Sequence, residues 1–167
     1  GLTMHNKVHH SETTFSLGIC LILSLVTIVM AIMLTVQLVD GPLGSKPAPD
    51  WVLILLTAVF CALTLNFSFI RLSLTDAGVT VRYGIFKKSL AWKDVRACLE
   101  DNEAHFVGWG IRYGRFQSRP VWIFNVIGGP RVAFVTESTK PAGLIVSTRN
   151  PALLVQTAAG LIRSGNP

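Results

Sequence analysis

Hydrophobic and polar positions change their rhythm sharply near residue 70 of this chain. Before that point "FSLGICLILSLVTIVMAIMLTVQLV" (residues 15–39) and "WVLILLTAVFCALTLNFSFI" (residues 51–70) run for 25 and 20 residues without a charge. Roughly 20 helical residues, at about 1.5 Å each, span a hydrocarbon core of about 30 Å, so each run predicts a transmembrane helix. Between them "DGPLGSKPAPD" (residues 40–50) holds three prolines and two glycines, the composition of a short exposed turn between antiparallel helices. A removable signal peptide is the competing reading of the first run. Its apolar stretch exceeds the usual length of about 7–15 residues, however, and a second run follows at once.

After Arg71 the long runs give way to short segments separated by turn residues, the pattern of strands. The segments are "RLSLT", "VTVRY", "IFKKSLA", "VRACLE", "VWIFNVI", "RVAFVT" and "GLIVST", with "HFVGWGIRY" as an eighth. In "VTVRY" the residues Val79, Val81 and Tyr83 alternate with Thr80 and Arg82, which predicts a half-buried strand. "TDAGV" (residues 75–79) and "GGP" (residues 128–130) are turn signals. The end of the chain returns to helical spacing over residues 151–163, with Asn150 as N-cap, Pro151 at the first helical position and Leu153, Leu154, Thr157, Ala158, Leu161 and Ile162 on one face.

Composition sharpens the membrane reading: half the residues are hydrophobic and 14% are charged, against about 25% charged in an ordinary soluble domain. Residues 71–167 carry nine Arg and four Lys against six acids, a net of +7. Bases near the span ends (Arg71, Arg82, Lys87 and Lys88) place this region on the cytoplasmic side. Two spans then return residues 1–14, read as a polar tail, to that same side. Cys20, Cys61 and Cys98 are scattered, which fits free thiols and no disulfide or zinc framework.

Seven antiparallel strands followed by one helix is the order of a pleckstrin-homology-like fold. On "LTDAGVTVRYG", "LAWKDV", "GWGIRY" and "IVSTRNPALLV", in that order, the chain resembles bacterial membrane proteins that carry a pleckstrin-homology-like domain after a pair of transmembrane helices. The resemblance implies an α+β membrane protein: a two-helix hairpin, then an antiparallel β-barrel or sandwich over residues 71–167 capped by the C-terminal helix. It implies a non-enzymatic adaptor, and it does not carry over a phosphoinositide ligand.

Two candidate surfaces stand out. Arg82, Lys87, Lys88 and Lys93 form a basic hairpin. Its first reading is a solvated strand face; its second is contact with anionic lipid, worth about 1 kcal/mol per base and screened within a Debye length of about 8 Å. The segment "GWGIRYGRFQSRP" reads as a bulged glycine-rich strand and its connecting loop. Trp109, Arg112, Tyr113 and Arg115 are its candidate contacts for a partner protein. Asn66, a polar residue within the second run, is a candidate partner contact, bonding either within the helical hairpin or to another subunit.

Other chemistries fit less well. The glycine spacing G-x-G-x-x-x-G misses the dinucleotide fingerprint and no helix follows it. Tyr83, Phe86 and Trp92 alternate as core residues do, which argues against nucleic-acid stacking. His5 and His9 have i, i+4 spacing without a set of fixed partners, so no metal and no cofactor is expected. No catalytic constellation accompanies the acids near residue 100. The expectation is a non-catalytic, membrane-anchored scaffold. It is read as an accessory subunit whose partners are other membrane subunits and the lipid bilayer; binding of anionic lipid is the alternative role.

Overall fold

The computed structural model describes residues 7–102, 109–138 and 141–165. In chain order its elements are β1 (Val8–Phe15), α1 (Leu17–Asp40), α2 (Asp50–Asn66), β2 (Phe69–Thr75), β3 (Gly78–Tyr83), β4 (Phe86–Ala91), a 3-10 turn (Trp92–Asp94), β5 (Val95–Asp101), β6 (Gly110–Phe116), β7 (Arg119–Asn125), β8 (Arg131–Thr136), β9 (Gly143–Ser147) and α3 (Pro151–Gly165).

The two apolar helices interrupt a sheet. β1 precedes them, β2 follows them, and the two strands pair antiparallel from Phe15↔Phe69 to Val8↔Thr75. Residues 8–15 are therefore the edge strand of the first sheet, β1-β2-β3-β4, rather than the polar tail that their composition suggests. The inward positions of β1 are polar (His10, Glu12, Thr14) and find hydrogen-bond partners instead of apolar neighbours. The buried Glu12 carboxylate accepts from the Thr148 hydroxyl at 2.8 Å and from the backbone N–H of Arg149. This ties the first strand to the chain just before α3.

α1 and α2 pack against each other, and only α1 has the full length of a membrane span. α2 stops at Asn66 after 17 residues, because Phe69 and Ile70, read from the sequence as the end of the second apolar run, belong to β2. Neither helix is buried in protein: Leu21, Leu25, Ile28 and Ile32 of α1 and Ile54, Leu55 and Val59 of α2 are exposed. Their hydroxyls are satisfied internally, Thr27, Thr35, Thr57 and Thr64 each donating to the carbonyl four residues earlier. Gln37 donates to the Ala48 carbonyl and to Asp50 at the far end of the pair.

The second sheet has the order β5-β8-β9-β7-β6. β7 and β9 run parallel, a departure from the wholly antiparallel arrangement expected. The two sheets stay separate, so the described residues form an open sandwich with no closed barrel. Ile70, Leu72, Leu74, Val79, Val81 and Tyr83 of the first sheet meet Phe124, Val132, Phe134, Leu144 and Val146 of the second. α3 packs on β5 and the 3-10 turn. It starts as expected, the Asn150 side chain accepting from the Leu153 N–H at 3.1 Å. Leu154 and Ala158 are its buried positions, whereas Leu153 points outward.

Candidate functional site

The foot of the helical pair is built from polar side chains. Ser16 donates its backbone N–H to the Ser68 carbonyl at 2.8 Å and accepts the Tyr83 hydroxyl at 2.8 Å. Burial pushes the Tyr83 phenol up, against the opposing effect of its bond to Ser16. Asn66, the last residue of α2, accepts the backbone N–H of Ile85 at 2.9 Å, so its side chain locks the helix to the β3–β4 turn. The turn must have glycine there: Gly84 has φ +60°, and a Cβ on it would lie 2.3 Å from the Asn66 side chain. From the connection between β7 and β8, Ile127 packs on Gly18 at the start of α1.

From this foot the outer face of the first sheet is layered. Nearest the helices lie Phe15 and Phe69, ring centroids 5.3 Å apart, with Ile85 of the β3–β4 turn 82% exposed beside them. The next rung outward, two residues or about 7 Å along the strands, is Thr13, Arg71, Arg82 and Lys87, each the Cα partner of the next. Beyond it comes a rung of hydroxyls: Ser11, Ser73, Thr80 and Ser89. A depression between the end of α2 and the sheet is lined by Leu65, Asn66, Phe69, Arg71, Arg82 and Gly84.

Three bases side by side are costly on a sheet, since like charges directly opposite destabilise it by up to about 1 kcal/mol per pair. Among the described residues no carboxylate pairs with Arg71, Arg82 or Lys87. The row thus has the electrostatics of a site for an anion.

The structure divides the expected basic hairpin. Arg82 and Lys87 are neighbours on the outer face. Lys88 points the other way, its ammonium 5.9 Å from the centre of the Trp122 ring. Lys93 lies past the end of β4 that is remote from the helices, and with Lys88 it lines a second depression that also contains Asp94 and Glu137. Arg71 takes the place of these two in the row.

The glycine-rich candidates are likewise split. Tyr113 is exposed and meets Trp122 edge-on at 5.1 Å, so Lys88 and Tyr113, from two separately expected surfaces, converge on one indole. Trp109 and Arg115 are exposed nearby in sequence. Arg112 lies on the opposite face of β6, where its Nε and Nη2 are buried without a hydrogen-bond partner among the described residues. Burial and the nearby Arg131 hold its basicity below the usual arginine range. The first residue of the glycine-rich segment, Gly108, and His5 of the metal expectation lie outside the described residues.

The Cys98 thiol is buried and pushed by that burial up to about 12, far from a reactive thiolate. His9 instead bonds Asp76, which also accepts the Lys7 backbone N–H at 3.0 Å. Among the described residues no three His, Cys, Asp or Glu side chains cluster as a metal site. No family model, no curated protein and no solved structure matches this chain.

Proposed function

We propose that the chain is a non-catalytic, membrane-anchored scaffold, an accessory subunit of a larger membrane complex, whose sandwich is held rigidly at the bilayer surface. The observation that carries this reading is the β1–β2 pairing across the helical insertion. Both ends of the apolar pair are stitched into one sheet, so the domain cannot swing on a linker as a tethered module does. Lipid suits the outer faces of α1 and α2, which would otherwise expose a patch far larger than soluble proteins tolerate.

In this reading both helices enter the bilayer and the sandwich lies on the cytoplasmic side. α1 covers about 36 Å and α2 about 25 Å, and the shorter helix is accommodated by local thinning or tilt. Because Phe15 and Phe69 are paired, a chain that leaves through α1 returns through α2. A sandwich of two sheets closed by a C-terminal helix supports the pleckstrin-homology-like assignment; the added strand β1 and the parallel β7–β9 pair are its departures. The edge with Trp109, Tyr113 and Arg115 suits a protein partner, with exposed aromatics and a base of the kind enriched in interface hot spots.

Gentle extraction of the full chain from its own membrane tests the subunit role. The reading expects partners in fixed stoichiometry that are lost in Tyr113→Ala with Arg115→Ala; a chain that emerges alone, unaffected by those changes, contradicts it. A second reading, binding of anionic lipid, is favoured by the unpaired basic row.

A further inference from the structure

The geometry points to a specific site for the phosphate of an anionic glycerophospholipid headgroup, formed by Arg71, Arg82, Lys87 and Asn66 at the junction of α2 with the sheet. It rests on the reading that the helical pair is embedded in lipid, and it deepens that reading by naming the ligand and the groups that hold it.

Three observations converge. The first is depth. The apolar rung of Phe15 and Phe69, with Ile85, adjoins the ends of the helices, and the basic rung lies one step beyond it. An apolar collar followed at about 7 Å by cations matches the order of acyl boundary and phosphate plane in a leaflet. The second is charge. Arg71, Arg82 and Lys87 are mutual neighbours with no described carboxylate among them, an arrangement that costs stability unless an anion joins it. The third is shape. The row borders the depression at the end of α2 instead of a flat face. There Asn66, its Oδ1 already engaged by the Ile85 N–H, has its Nδ2 amide left as a further donor.

The chemistry is selective. Guanidinium groups bind phosphate oxygens bidentately, whereas a lysine acts as a point charge. The three bases are donors only, and so offer nothing to the ammonium of a choline or ethanolamine headgroup. A lipid with net negative charge is therefore preferred, its chains passing toward Leu65 and Phe69, both exposed.

Native mass spectrometry of the full chain in mild detergent, supplied with equal phosphatidylglycerol and phosphatidylcholine, tests the site. The expected result is one tightly retained phosphatidylglycerol per chain, in clear excess over phosphatidylcholine. Arg71→Gln with Arg82→Gln should lower retention roughly 30-fold, about fivefold for each base, while Lys93→Gln leaves it unchanged. Equal retention of the two lipids, or retention indifferent to the double variant, overturns the site. Loss of the phosphatidylglycerol adduct to millimolar inorganic phosphate overturns the lipid assignment in favour of a soluble phosphate. Alkaline extraction of membranes reads anchoring separately: a chain that washes off defeats the embedded reading, whatever the adduct count.

Discussion

The helical pair and the sandwich use the same apolar side chains for opposite ends. In the sandwich Leu72 and Leu74 are 1% and 0% exposed, and the core is closed by both sheets and α3; in the helices Leu25 and Leu65 are 63% and 74% exposed, with nothing among the described residues to cover them. Polar groups follow the same division. Threonines of α1 and α2 return their protons to their own helix, whereas Glu12, Ser16 and Tyr83 reach across the chain to join distant segments. A leucine is thus assigned its solvent by what its neighbours leave open, and the two regions meet where α2 ends at Asn66 and the polar foot begins.

Substitution should separate the two regions by magnitude. Leu72→Ala removes core volume and is expected to cost about 3 kcal/mol in denaturant unfolding of the detergent-solubilised chain. Glu12→Gln should cost about 2 kcal/mol by the same measurement, because it weakens charge-assisted bonds from Thr148 and Arg149 that hold β1 in place.

That second change also has a pH signature. Burial pushes the Glu12 pKa up, but the Arg149 N–H and the Thr148, His10 and Thr14 side chains outweigh it and hold the carboxyl below its ordinary value of 4.5. A depressed folded value means that the stabilisation is complete above that ordinary value and fades as the pH falls through the lower folded one. Unfolding midpoints followed between about pH 3 and about pH 7 should therefore fall on the acid side in the natural chain, and fall less in Glu12→Gln.

Smaller effects follow. The β6–β7 turn holds Gln117 and Ser118 at φ 48° and 65°, the left-handed region that favours glycine. Ser118→Gly should gain about 0.5 kcal/mol by relieving that strain, a gain visible as a higher thermal midpoint. Smallest is Leu25→Ala, a change at an exposed position of α1 that should leave the unfolding of the sandwich within about 0.5 kcal/mol of the natural chain. A loss as large as that of Leu72→Ala would place Leu25 in a protein core and erase the comparison.

Much of the sandwich was legible because its short apolar segments are set off by turn residues, and in β2 and β3 also alternate with polar ones. "RVAFVT" coincides with β8, the expected helix start at Asn150 is observed, and the glycine-rich segment yields β6 and the start of β7. β1 was hidden because its inward side is polar: periodicity reads apolar faces, and no pattern within "VHHSETTF" announces that Thr148 and Arg149 will satisfy Glu12. The end of α2 was hidden because Phe69 and Ile70 are equally at home in a span and in a strand.

The basic row could have been found. A two-residue turn at Asp76 and Ala77 sets Arg71 opposite Arg82, and a second at Gly84 and Ile85 sets Arg82 opposite Lys87. Following that register would have excluded Lys88, which falls on the other face, and admitted Arg71. The parallel β7–β9 pairing had no such local signal, since it depends on how the chain returns after β8.

The embedding of the helical pair is the claim on which the rest depends, and nitroxide scanning tests it most directly. With Cys61 replaced, single labels at residues 25, 54 and 89 of the full chain in phospholipid vesicles would be compared for collision with oxygen and with a water-soluble nickel chelate. The account predicts high oxygen and low nickel accessibility at 25 and 54, and the reverse at 89. Nickel accessibility at 54 equal to that at 89, or shielding of 25 and 54 from both reagents, would contradict it.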